Sequence, residues 1–290
     1  YYAPLPNISG YTGQYKNVGA INNKGLEISL NADVIRTSKF QWTSDFNIGF
    51  NRNRVTELYG GKPELKGLKR LEEGRDMDEW YLREWAGVDP ANGSPLWYTT
   101  DENGKRTTTD SYNKADRVYC GSAAPKFTGG WMNSFSYKGF TLTANFDFVY
   151  GNLLYNQSRE LLDSDGAYAD YNSMKLKSGW KRWEKEGDIA THPKAINGGN
   201  KNSNKSSSRY LEKGNYFSLR NLSLGYSIPE KLCGKLGLQR VNVSCSADNL
   251  FTLTPFSGVS PQLSDSSTDG YAGTIYPLSR RIVLGLNVSF

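Results

Sequence analysis

Few residues of this chain of 290 are equipped for catalysis. His192 is the single histidine, so a Ser-His-Asp triad, a Cys-His pair and a His-rich metal site are excluded. It precedes Pro193 and reads as a loop histidine. Asp163-Ser164-Asp165-Gly166 has the opening of a calcium loop, yet Met174 stands at the twelfth position, where a bidentate Glu is needed. Cys120, Cys233 and Cys245 are far apart, without a Cys-x-x-Cys, and read as free thiols rather than a disulfide framework or a zinc site. Asp and Glu are plentiful, but their spacing singles out no acid/base pair, and there is no Walker motif or dinucleotide glycine fingerprint. The expectation is a protein that is not an enzyme, with no cofactor and no metal. Contact residues remain. Trp180 and Trp183 share helical spacing with Leu176 and offer flat apolar faces to a sugar ring or a partner, the alternative being that they pack a loop helix. Asn145 and Asp147 fall on the polar side of a strand, where they would touch a passing substrate or simply hold water.

The elements that must carry these residues are strands. Tyr (19), Phe (12) and Trp (7) make the chain 13% aromatic, and 30 Gly with 11 Pro supply turns. Leu26, Ile28, Leu30, Ala32 and Val34 alternate with polar residues, and after a turn at 36–39 the pattern resumes with Phe40, Trp42, Phe46, Ile48 and Phe50. Weaker strands are expected at 80–88 and 94–100, joined by Asp89-Pro90-Ala91-Asn92-Gly93. Two strong ones, 127–137 and 140–150, flank a tight Lys138-Gly139 turn. Residues 151–215 form a long insertion with a short helix expected near 170–186 and a low-complexity, mobile stretch from Asn197 to Ser208. Tyr216 to Ile228 predicts a strand with a phase slip near Arg220 and Asn221, Val241 to Asp248 another, and Ile282, Leu284, Leu286, Val288 and Phe290 line one face of the last.

Nine strands result, joined by alternating short and long connections. That alternation, with Ser, Thr, Asn and Asp on one face and large apolar residues on the other, is the pattern of a transmembrane β-barrel with a hydrated lumen. Phe40, Trp42, Tyr137, Phe140 and Tyr226 near strand ends would form an interfacial girdle. No run of 18 apolar residues exists and mean hydropathy is −0.62, which excludes a transmembrane helix but not a barrel. A net charge of +6 spread through loops gives no nucleic-acid stripe. An open sheet would leave unpaired edges in hydrocarbon, so further strands are expected, most simply from a preceding part of the same polypeptide. The start, Tyr1-Tyr2-Ala3-Pro4, carries no signal-peptide pattern. The competing reading is a soluble β-sandwich or jelly roll that binds glycans through its aromatics.

Several stretches, in order along the chain, resemble the carboxy-terminal part of the SusC/RagA-type TonB-dependent outer-membrane transporters of Bacteroidota. They are Asn17-Val18-Gly19-Ala20-Ile21-Asn22-Asn23-Lys24-Gly25-Leu26-Glu27, Phe50-Asn51-Arg52-Asn53-Arg54-Val55, Trp85-Ala86-Gly87-Val88-Asp89-Pro90-Ala91-Asn92-Gly93 and Pro125-Lys126-Phe127-Thr128-Gly129-Gly130. Arg182-Trp183-Glu184-Lys185-Glu186-Gly187-Asp188, Leu219-Arg220-Asn221-Leu222-Ser223-Leu224-Gly225-Tyr226, Asp248-Asn249-Leu250-Phe251 and Phe290 complete the set. The resemblance implies an all-β fold in which residues 1–290 are the last nine or so strands of a barrel of about 22 strands. It further implies an amino-terminal plug, energisation through the TonB complex, and a SusD-like surface lipoprotein delivering a glycan or peptide. The long loops, 151–215 included, would then be extracellular, in the outer membrane of a Gram-negative bacterium. Leu286, Val288 and Phe290 would resemble the terminal signal read by the barrel-assembly machinery.

Overall fold

The computed structural model describes residues 2–290 except 16–18, 169, 172–174, 263–269 and 274. Met174, and Asn17-Val18 of the first family-like stretch, lie outside the described residues.

One sheet organises the molecule. Its strands are β1 (Ala20–Arg36), β2 (Phe40–Glu57), β3 (Phe127–Tyr137), β4 (Phe140–Tyr150), β5 (Tyr216–Ser227), β6 (Arg240–Leu253) and β7 (Arg281–Ser289). They pair antiparallel in the order of the chain, with β1 and β7 as the two edges. The sheet therefore has seven strands, not nine. Trp80–Val88 and Ser94–Thr100 are extended, but they belong to small sheets in the loops: Glu79–Arg83 pairs with Arg117–Ser122, and Trp85–Val88 with Pro95–Thr100. The first breaks at Glu84, leaving pieces of five and four residues, too short for the roughly 9–11 needed to cross a bilayer.

Cross-strand pairing makes the two faces continuous. Ile28, Ile48, Gly129, Phe148, Phe217 and Leu253 form one row, and Leu30, Phe46, Trp131, Phe146, Leu219 and Phe251 the next. The opposite face has rows such as Asn31, Asp45, Met132, Asn145, Asn221, Asp248 and Arg281. A soluble sandwich would cover the apolar face with a second layer. Here Leu284 is 80% exposed, Leu286 69% and Phe290 83%, and no layer covers that face among the described residues. The two polar residues set into it are satisfied within the sheet: Trp42 Nε1 donates to Asn133 Oδ1 at 3.0 Å and Trp131 Nε1 to Ser44 Oγ at 2.9 Å. An unsatisfied polar group in hydrocarbon would cost several kcal/mol, so these bonds suit a surface that meets lipid.

Aromatics band both ends of that face. Phe40 with Tyr137, Trp42 with Phe135, and Phe140 with Tyr226 cluster beside the short connections. Phe50 with Phe127, and Phe127 with Tyr150, cluster at the other end. β3 and β4 are 11 residues each. Ten steps of about 3.4 Å, tilted by about 40°, rise about 26 Å, the height of a barrel's apolar band.

The turn at Lys138 (φ 46°) and Gly139 (φ 87°) has the paired positive φ of a type I′ hairpin, whose twist matches the strands. The phase slip in β5 is a bulge at Arg220 between Leu219 and Asn221. The connections at 37–39, 138–139 and 228–239 lie at one end of the sheet; those at 58–126, 151–215 and 254–280 lie at the other. The core also lies at that second end. Trp80, Leu82, Ala123, Tyr155 and Tyr210, from the first two long connections, pack together with Tyr271 from the third. A barrel wall needs no core of its own, since one face meets lipid and the other water, so side chains are buried chiefly where the loops pile up.

Candidate functional site

Two regions could handle a passing solute: the polar face of the sheet and the loop layer above it.

On the polar face, period-two alternation turns Asn145 and Asp147 to the same side as Asp45, Ser218, Asn221 and Asp248. Asn145 sits between Met132 and Asn221 in register, and Asp147 between Gly130 and Ser218. Asp147 Oδ2 accepts the Tyr216 hydroxyl at 3.2 Å and lies 3.3 Å from Arg220 Nε, which the bulge directs to this face. Its Oδ1 is buried and has no hydrogen-bond partner among the described residues. Asp248 takes Asn221 Nδ2 at 2.7 Å and Arg281 Nη2 at 2.7 Å. The carboxylates of this face are thus held by donors on neighbouring strands.

In the loop layer, the stretch with calcium-like spacing has another use. Asp165 accepts Arg182 Nη1 at 2.6 Å, Ser203 Oγ at 2.7 Å, and Arg209. Asp163 accepts Arg159 Nη2 at 3.1 Å and shares a 2.7 Å hydrogen bond with His192 Nε2. Arg159 Nη1 continues to Glu212 Oε1 at 3.0 Å. Three guanidinium groups therefore face two buried carboxylates, Asp163 and Asp165, and the half-buried Glu212, so these acids are neutralised by protein cations. Burial alone would raise the Asp163 carboxyl, but the His192 hydrogen bond and the charges of Arg209, His192 and Arg159 outweigh it and hold it at about 2. The same burial acts on Arg209, and the surrounding negative groups more than offset it and raise that guanidinium further. His192 is a loop residue as expected, but it is fully buried and part of this knot.

No helix forms among the described residues of 175–186. Gly179 has φ +84°, and the backbone bonds outward instead: Lys181 N to Thr191 Oγ1 and Trp183 N to the His192 carbonyl, both at 2.9 Å. Among the described residues of this insertion the α-helix is a turn and a half at Ser158–Leu162, and a 3-10 turn follows at Ser208–Tyr210. Trp183 is 8% exposed, donates from Nε1 to the Pro90 carbonyl at 2.9 Å, and covers Gly93, where a Cβ would sit 2.5 Å from its ring. Trp180 stays partly exposed, 5.0 Å from the His192 ring and 4.3 Å from the Arg159 guanidinium. The two indoles have different partners and make no common platform. The polar stretch 197–208 is pinned rather than mobile: Asn200, Ser203 and Ser207 are buried, and Asn200 Nδ2 donates to the carbonyls of Gly93 and Lys194. Low complexity hid a segment whose small hydroxyls and amides serve the buried charges. Leu286, Val288 and Phe290 lie on or just beyond the edge strand β7, with Val288 opposite Val241.

No family model matches the sequence. The chain is 29% identical to TonB-dependent receptor P3 of Formosa agariphila over 99% of its own length and 30% of the relative's. It is 23% identical to TonB-dependent receptor SusC of Bacteroides thetaiotaomicron, over 95% of this chain and 27% of that one. Among solved structures, the RagAB peptide transporter superposes with a TM-score of 0.84 at 28% identity, covering 99% of this chain and 31% of that one. The chain thus spans about a third of the length of the proteins it matches. The resemblance to the carboxy-terminal part of SusC/RagA-type TonB-dependent transporters holds over nearly the whole sequence, and the sheet is a partial barrel of that kind. The relatives are receptors and transporters.

Proposed function

We propose that this chain is the carboxy-terminal barrel part of a SusC-like, TonB-dependent importer in the outer membrane, which takes up a glycan or peptide delivered by a SusD-like surface lipoprotein. The observation that carries the reading is the agreement of two independent features. The sheet exposes a banded apolar face about as tall as a bilayer core, and the same chain superposes over 99% of its length on a peptide transporter. The remaining barrel strands, the plug and the TonB-contacting segment would come from the rest of the polypeptide. In this reading the loop layer is the extracellular surface that meets the lipoprotein. Trp180, partly exposed there, is a contact for substrate or partner, and Trp183 packs the neighbouring loop against Pro90 and Gly93. Asn145 and Asp147 line the path on the lumen face. Phe290, with Leu286 and Val288, is the signal engaged by the assembly machinery.

The test is genetic. Deleting the full-length gene should abolish uptake of one class of labelled oligomer, glycan or peptide, and deleting TonB should have the same effect. A SusD-like lipoprotein should co-purify from detergent extracts. Uptake of both classes unchanged in the deletion strain would refute the proposal.

A further inference from the structure

Above Gly49, β2 loses its partner on the β3 side, because pairing between the two ends at Thr128 and Gly49 while β2 runs on to Glu57. The gap is a notch in the wall, a cavity of about 1200 Å³ lined by Lys24, Phe50, Arg52, Arg54, Arg75 and Lys126 among others. Its acids are committed: Glu79 holds Arg75 at 2.7 Å, and Asp76 accepts Ser122 Oγ at 2.9 Å and the Asp78 amide at 2.8 Å. Lys24, Arg52, Arg54 and Lys126 are exposed and have no ion-pair partner among the described residues. Residue parity decides which way the strand cations point. Lys24 pairs in register with Arg52, and both continue the series of Leu26 and Phe50 on the apolar face. They therefore project outward above the upper aromatic band of Phe50, Phe127 and Tyr150, not into the lumen where a substrate would pass.

Unpaired cations directly above an interfacial aromatic band sit at the depth of lipid headgroups. We propose that this notch binds the phosphate of an anionic lipid of the outer leaflet, with Lys24, Arg52 and Arg54 donating charge-assisted hydrogen bonds to its oxygens. The proposal rests on the membrane-barrel reading, and it adds a lipid site between two strands that both belong to this chain.

The test uses the full-length protein in nanodiscs that contain a phosphorylated glycolipid or the same lipid with its phosphate removed. Native mass spectrometry reads the lipid retained after detergent transfer. Wild type should retain the phosphorylated form, and Lys24→Glu/Arg52→Glu/Arg54→Glu should weaken retention by about a hundredfold or more, from roughly fivefold for each cation. Arg52→Lys/Arg54→Lys should retain it. If the triple reversal loses the heat-dependent gel shift of a folded barrel, Lys24→Gln/Arg52→Gln supplies the comparison, removing the positive charges without introducing negative ones. Equal retention by wild type and reversal, equal retention of the phosphate-free lipid, or displacement by inorganic phosphate at matched concentration would each overturn the proposal. Absence of the heat-dependent shift in wild type would instead overturn the membrane reading beneath it.

Discussion

Removing the Asp165 carboxylate should open the loop layer while the strand sheet stays folded. Asp165 has a fully buried side chain and faces two guanidiniums, Arg182 and the almost fully buried Arg209, together with Ser203 Oγ. In Asp165→Ala, Arg209 keeps hydrogen bonds to the Ser203 carbonyl at 3.0 Å and Asp163 at 3.5 Å and its contacts with the Trp85 and Tyr210 rings, but this buried cation loses its main counter-charge. Removing one partner of such a pair costs about 3–5 kcal/mol. Among the described residues no hydrogen bond or ion pair links the knot to a strand of the large sheet, so the loss falls on local opening of 151–215, where a cost of 3 kcal/mol raises the open population by about a hundredfold. Limited proteolysis of the full-length protein in detergent reads this directly, because Lys201 and Lys205 lie in the segment the knot pins. The variant should be nicked there about a hundred times faster than wild type under weak-protease conditions, and its heat-dependent gel shift should be unchanged. Asp165→Asn, which keeps the shape and loses the charge, should fall between them. Cleavage of Asp165→Ala at the wild-type rate would refute the claim that the ion pairs hold the loops.

Further outcomes follow from the same contacts. The Asp163 carboxyl, held at about 2 against an ordinary 3.8, is a depressed acid, so the stability it adds, about 2 kcal/mol, is complete above pH 4 and is lost as the pH falls from 4 through 2. Loop protection by hydrogen exchange should therefore be flat from pH 7 to about 5 and decline only below about 4, and His192→Gln, which removes a group that depresses the Asp163 carboxyl, should make that decline smaller. Gly93→Ala should cost about 1–3 kcal/mol of loop stability, since the new Cβ would meet the Trp183 ring at a position with φ +75°; equal thermal midpoints of loop proteolysis would contradict it. Leu284→Arg or Phe146→Arg, both on the lipid-side face, should cost about 2–4 kcal/mol near the midplane and reduce outer-membrane levels. Normal levels of both variants would mean that the faces are assigned the wrong way round.

The barrel strands were legible because a face that meets lipid imposes strict alternation over 10 residues or so, as in Phe127 to Tyr137, and because Lys138-Gly139 and the slip at Arg220 are local signals. Trp80 to Val88 misled for a physical reason. Small sheets among packed loops bury one face in the same alternating way, so an aromatic-rich segment reads alike in both settings, and only its length separates them. Trp180 and Trp183 suggested a helix through their spacing, but Gly179 with positive φ and the bonds from Lys181 and Trp183 to 191–192 override it. The knot itself left no signal. Arg159, Asp163, Asp165, Arg182, His192 and Arg209 are spread over some fifty residues of polar sequence, and nothing in that spacing says which charges will share one buried site. A bare histidine beside Thr191, in a loop with this many arginines and aspartates, was the nearest thing to a clue.

The central claim is that β7 and its neighbours show one face to lipid and the other to a hydrated lumen. Spin labels placed singly from 282 to 288 in the full-length protein, reconstituted in bilayers, test it most directly through relaxation by dissolved oxygen and by a water-soluble nickel chelate. Labels at 282, 284, 286 and 288 should be oxygen-accessible and shielded from nickel, and those at 283, 285 and 287 should lack oxygen access, giving a period of two. A profile without that alternation, or one with nickel access at 284 and 286, would contradict the account.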